Sequence, residues 1–217
     1  MYNFANLLLG KYMKKIAVVI LLFSACSLFA QNNRYDIKSG IVEYDILGTT
    51  NSKDHTFTGS SILYFKDFGN LELFDEIITQ KRGSIVEEER NTYKISKGKI
   101  YTADFNDEII YSQDLSVDDE NPIANTKNRE AFKEMGAKFL GNENILGYKC
   151  DIWELGEYKI WVYNSVPLKQ ISKSLGVEQM QIAKNANFNI DIKDNKFKLP
   201  NFPVKAIDVI IGEGEEE

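Results

Sequence analysis

His55 is the only histidine among the 217 residues, and it stands in the polar run NSKDHTFTG with nothing nearby that resembles a triad partner. An exposed loop histidine is the expected reading. Cys150 is the only cysteine beyond residue 30, so one histidine and one cysteine cannot assemble a nitrogen/sulfur zinc site. The thiol alternates in phase with Tyr148 and Ile152, the pattern of a buried, inert cysteine rather than a nucleophile. Asp104 opens DFNDEI like a calcium loop, but Ile109 stands where the turn glycine belongs. Glu87, Glu88 and Glu89 form one carboxylate run, and Asp118, Asp119 and Glu120 another. Both read as solvated faces, because acid/base work needs two carboxylates in different environments. There is no GxSxG elbow and no phosphate-binding glycine loop. A hydrolase built only of carboxylates stays open as an alternative, since such pairs converge in space and not in sequence. No catalytic residue, cofactor or metal ligand is expected, and the chain is read as a non-enzyme.

The other chemistry on offer is apolar. Gly147 to Gln170, GYKCDIWELGEYKIWVYNSVPLKQ, holds both tryptophans. With a period of two, Tyr148, Cys150 and Ile152 share one face of a strand, and Lys149, Asp151 and Trp153 share the other. In the following YKIWVY, Tyr158, Ile160 and Val162 oppose Lys159, Trp161 and Tyr163. A strand apolar on both faces is either central to a core or has a second face that lines a cavity.

The elements around this stretch read as strands nearly throughout. KSGIVEYDILG places Val42, Tyr44 and Ile46 on one face; SSILYFKDFGN places Ile62 and Tyr64 against Leu63 and Phe65 and then turns into LELFDEI. SIVEEER reads as a half-exposed strand, TYKISKGKIYTAD as a hairpin about Ser96-Lys97-Gly98, and EIIYSQDL as its continuation. SVPLKQIS and EQMQIAKNANFNIDI follow, and Pro200 and Pro203 suit an edge or a loop near the end. One segment breaks the pattern. Asn125 to Leu140 carries Phe132, Met135, Gly136, Phe139 and Leu140 at helical spacing, with Gly141 as the stop. A helix this short needs a surface to lie on, and the sheet is that surface. Trp153, Trp161 and Tyr163 with Phe132, Met135 and Phe139 are therefore the candidate walls of a hydrophobic ligand cavity. The competing reading packs the same aromatics into a closed core.

The N-terminus addresses export. From Met13, MKKIAVVILLFSACSLFAQ runs from lysines through an apolar stretch to Ala30, the order of a secretory signal peptide, with Met13 as the expected true start. The apolar run is shorter than the about 20 residues that span a bilayer, so no integral membrane span is expected after cleavage. FSAC offers a second reading, a lipoprotein acylated at Cys26. Residues 1–30 carry three lysines and no acid, so the net charge of −6 becomes −9 once they are removed. Such a chain lacks the basic footprint of a nucleic-acid binder. Residues 31–211 read as one domain, and GEGEEE, 212–217, as a disordered acidic tail.

The ordered set LGNENILGYKC, IWVYNSVPLKQ, IAKNANFNID and FKLPNFPV resembles the C-terminal half of the periplasmic LolA/LolB-like lipoprotein-carrier superfamily. IKSGIVEYDILG and LYFKDFGN are similar to exported relatives of that group, which extends the resemblance over about Tyr35 to Val204. The resemblance implies a mainly β, α+β architecture: a curled antiparallel sheet forming an open half-barrel covered by one or more helices. It also implies a periplasmic or otherwise exported protein, with a lipid or acyl chain as ligand. None of Arg34, Arg82, Arg90 and Arg129 falls on a clearly apolar strand face, so the scaffold is implied more strongly than lipoprotein transfer itself. An envelope protein partner, met through the acidic surface, is the alternative function.

Overall fold

Along Gly40–Thr50 the alternation read from the sequence is realised: Val42, Tyr44 and Ile46 are buried while Asp45 is exposed. The computed structural model describes residues 33–50, 55–114, 132–174 and 176–207. They form twelve strands: β1 (Gly40–Thr50), β2 (His55–Lys66), β3 (Leu71–Arg82), β4 (Ile85–Ser96), β5 (Lys99–Asp104), β6 (Ile109–Asp114), β7 (Lys138–Ile145), β8 (Tyr148–Leu155), β9 (Tyr158–Tyr163), β10 (Val166–Ser174), β11 (Val177–Phe188) and β12 (Val204–Ala206). All belong to one sheet, ordered β12-β6-β5-β4-β3-β2-β1-β11-β10-β9-β8-β7. Every pairing is antiparallel except that of β12 with β6.

The β3–β4 and β4–β5 hairpins each close in two residues. Lys97 and Gly98, both at positive φ, make the two-residue turn between β4 and β5 that the sequence predicts. Pro167 lies in β10, where a proline would cost a ladder bond, and it sits at a register shift between Pro167 and Lys169.

The curled half-barrel expected from the resemblance is corrected to an open sheet that is neither closed nor strongly curled, with β7 and β12 as its edges. Helical cover is corrected too. Among the described residues the apolar faces are covered mainly by extended chain. Tyr35 and Ile37, ahead of β1, complete the largest cluster, which includes Val42, Phe65, Phe74, Trp161 and Leu168. The chain between β11 and β12 lays Ile192 and Phe197 on Leu73 and Tyr64. Each fully buried side chain of this size contributes about 1.5–3 kcal/mol.

The helix predicted over Asn125–Leu140 ends early. Residues 132–134 are helical, and the end is a Schellman motif: Ala137 N–H donates to the Phe132 carbonyl at 2.8 Å, and Gly136 N–H to that of Lys133 at 2.9 Å. Gly136, at φ +80°, is the residue that stops the helix, not Gly141. Phe139 and Leu140 belong to β7, and Gly141 marks the bulge in that strand. The i, i+3, i+4 spacing runs on past the stop, and Phe132 before it and Phe139 after it both meet Trp153. The SIVEEER segment is exposed over Ile85–Arg90 rather than half-exposed. The signal peptide with Met13 and Cys26, helix residues 125–131, the run at Asp118 and the tail 212–217 lie outside the described residues. No helix among the described residues is long and apolar enough to cross a membrane.

Candidate functional site

Strands β8 and β9 carry the tryptophans, and their register sets Trp153 opposite Ile160 and Ile152 opposite Trp161. Successive side chains on a strand point to opposite faces, so the two indoles lie on opposite sides of the sheet. The six predicted cavity residues therefore divide. Phe132, Phe139 and Trp153 come together, Trp161 packs on the opposite side, and Tyr163 packs against the main cluster while bordering the cleft beside Trp153.

Trp153 is 2% exposed and clusters with Ile160 and Val162, against which Phe132, Ala137 and Tyr158 pack. Phe132 stacks on its ring at 5.5 Å and 17°, delivered by the helix end, and Phe139 meets it tilted at 5.2 Å from across the β7–β8 pair. Met135 holds the C-cap position, half-buried. Beside this stack lies a cleft of about 460 Å³. Phe132, Trp153 and Val162 are its apolar lining, Tyr163 also borders it, and Asp36, Asn142, Lys149 and Asp151 supply polar groups. The rim is pre-set: Asn142 donates to Asp151 Oδ1 at 2.6 Å, and the Ser165 hydroxyl to Asp36 Oδ2 at 2.8 Å. The Trp153 indole N–H is buried and finds no acceptor among the described residues. Its volume falls in the range of small-molecule sites, and its lining mixes apolar with polar side chains.

Trp161 is core. It belongs to the largest cluster, and its indole N–H donates to Glu143 Oε2 at 2.6 Å while the Lys169 ammonium lies 4.2 Å from its ring centroid. Tyr163 is held between Tyr148, at 4.7 Å, and Phe188, at 5.7 Å. For Trp161 the closed-core reading describes the geometry, whereas Tyr163 packs against the same cluster and also borders the cleft.

Sequence reasoning missed a buried polar cluster. Arg34 Nη1 lies 3.0 Å from Glu72 Oε2, and Tyr35 and Tyr93 donate their hydroxyls to the two Glu72 oxygens at 2.8 and 2.9 Å. Burial and the Glu72 charge push both phenols well above their ordinary range. Glu72 gave one signal: it sits among Leu71, Leu73 and Phe74, in phase with Phe74, where a lone carboxylate needs a partner. A second polar row crosses the same face. Tyr158 donates to Gln170, Gln170 to Gln181, and Gln181 to the Ser61 hydroxyl, with Glu76 opposite Ser61 in register. Burial raises Glu76 to about 7. Cys150 is fully buried, and burial lifts its thiol to about 11, in keeping with the inert reading. Asp104 Oδ1 accepts from the backbone N–H groups of Asn106 and Asp107, so the calcium-like start closes a turn. No group of three or more metal-type ligands occurs among the described residues.

No protein-family model matches the chain, and no curated protein matches it. Solved structures do resemble it. An uncharacterised conserved protein from Thermus thermophilus aligns with a TM-score of 0.45 at 10% identity, over 79% of this chain and 93% of that one. LprF from Mycobacterium bovis aligns with a TM-score of 0.30 at 10% identity, over 71% and 89%. A domain described as an outer membrane lipoprotein-sorting protein, from Vibrio parahaemolyticus, aligns with a TM-score of 0.27 at 9% identity, over 74% and 89%. These scores carry no ligand or activity across to this chain. The LolA/LolB-like resemblance read from the motif order thus has a lipoprotein-sorting domain among the structural neighbours.

Proposed function

We propose that this chain is an exported, non-catalytic envelope protein that binds a lipid or another hydrophobic ligand in the cleft against Trp153, as a carrier or sensor. One observation carries the reading: a buried indole, flanked by Phe132 and Phe139, walls a cleft of about 460 Å³ and leaves its N–H without an acceptor among the described residues. An apolar chain would lie along Phe132, Trp153 and Val162, and a polar head would meet Lys149, Asp151 and Asn142. Native mass spectrometry of protein purified without detergent, followed by organic extraction, tests this. A bound apolar molecule retained in Trp161→Phe and lost in a folded Phe132→Ser variant is expected. Equal retention in both variants, or an apo mass with no uptake of a fluorescent fatty acid, would overturn the cleft reading.

A second reading, an envelope protein-interaction module with a closed core, is favoured by the packing of Trp161 within the main cluster. It predicts an apo mass together with a salt-sensitive protein partner.

A further inference from the structure

Strand β4 is twelve residues long, but its outer neighbour β5 pairs only with Thr92–Ser96. On the inner side β3 pairs with β4 along its whole length. From Ile85 to Asn91 the outer edge therefore has no strand beside it among the described residues. The stretch is also uncovered: residues 85–90 are all exposed, Ile85 at 60% and Val86 at 62%.

Hairpin geometry tells which backbone groups are free. The β3–β4 turn has two residues, Gly83 and Ser84, so the flanking pair Arg82–Ile85 is hydrogen-bonded. Ile85, Glu87 and Glu89 then bond toward β3, while Val86, Glu88 and Arg90 present N–H and C=O outward. The far end agrees: Ser96 and Lys99 flank another two-residue turn, which directs Ser96, Lys94 and Thr92 outward to β5. The free edge is thus three residues' worth of main-chain donors and acceptors in strand geometry.

We propose that this edge takes a further strand from an extended, lysine- or arginine-rich polypeptide. Main-chain pairing would supply the affinity, and the charge at Glu87, Glu88 and Glu89 the selectivity. Charge decides the occupant. A second copy of this chain pairing antiparallel about Glu88 would set glutamates against glutamates, which is destabilising. A basic strand meets the same three carboxylates with favourable charge, and it is drawn to a chain of net charge −6. The apolar Ile85 and Val86 at the tip would contact aliphatic side chains or lysine stems of the added strand. The competing account is that the glutamates only guard an edge against aggregation.

The probes are two labelled heptapeptides of alternating valine with lysine or with glutamate, titrated by fluorescence anisotropy against the full chain. The lysine peptide is expected to bind at least about tenfold more tightly than the glutamate peptide, and more weakly as salt rises. Glu88→Pro removes an outward N–H and leaves the β3 ladder intact. It is expected to lose about tenfold in affinity for the lysine peptide with an unchanged circular dichroism spectrum. Should that variant unfold, Glu87→Lys/Glu89→Lys takes its place and is expected to reverse the peptide preference. Undiminished binding by a folded Glu88→Pro variant, or no preference between the peptides, would overturn the proposal. So would a wild-type dimer that Glu88→Pro dissociates, since the occupant would then be a second copy.

Discussion

Arg34 and Glu72 form an ion pair shut off from water, 3.0 Å apart with side chains 4% and 0% exposed. The pair ties the chain ahead of β1 to β3, and two backbone bonds extend the tie: Tyr35 N–H donates to Phe68 at 3.0 Å, and Asp36 N–H to Asn164 at 3.1 Å. Asn164 lies in the β9–β10 turn, so this leading segment links the β2–β3 connection with the turn between β9 and β10 across the sheet order.

Breaking that pair leaves an uncompensated buried charge, which typically costs about 3–5 kcal/mol. Arg34→Met and Glu72→Gln are each expected to destabilise by that order in urea unfolding. The double variant should cost clearly less than the two single losses combined, because no lone charge remains. Strict additivity would show that the two side chains do not act as a unit.

The tryptophans differ in what their N–H groups meet. Trp161→Phe deletes a bond to a carboxylate, whereas Trp153→Phe deletes a donor with no acceptor among the described residues. Glu143 is near the surface and can be rehydrated. The extra cost of Trp161→Phe over Trp153→Phe is therefore expected at about 1.5 kcal/mol, the lower end for bonds to charged groups. Thermal or urea unfolding of both variants measures it. A costlier Trp153→Phe would mean that the indole N–H is engaged after all.

Strand periodicity makes much of the sheet legible: Val42, Tyr44 and Ile46, the Lys97-Gly98 turn, and the opposed faces of Trp153 and Trp161 can all be read from spacing. The helix end is not legible in this way, because Phe139 and Leu140 continue the helical spacing although they belong to β7. Gly136, at positive φ, and not the hydrophobic pattern, decides where the helix stops. Treating Trp153 and Trp161 as walls of one cavity ignores the very alternation that separates them. Arg34 is invisible in the sequence because it precedes any strand and its partner lies far along the chain; only the fold brings them together.

Cys150 is fully buried, and burial raises its thiol to about 11, so almost no thiolate is present at about pH 8. In native buffer a disulfide-exchange reagent is expected to leave it unmodified over hours, with full reaction in urea. Fast native labelling would show that the β7–β8 edge opens locally, well below the global unfolding free energy.

Glu76 sets the sign of a pH effect. Burial, as the largest cause, raises its carboxyl from 4.5 to about 7 in the fold, and the nearby Glu89 and Asp75 charges push the same way. Between those values the folded chain holds a proton that the unfolded chain has released. The stability from this site is complete below pH 4.5 and is lost as pH rises through 7. The interval corresponds to about 3 kcal/mol. Glu76→Gln keeps a side-chain oxygen to accept from Asn91, whose bond to Glu76 Oε1 is 3.3 Å, and cannot ionise. The variant is expected to match the parent near about pH 5 and to exceed it by up to about 3 kcal/mol at about pH 8, read by urea unfolding at both values. Equal stability of the two proteins at the higher pH would mean that the carboxylate is solvated in the fold, and the polar row from Asn91 to Gln170 would then be open to water.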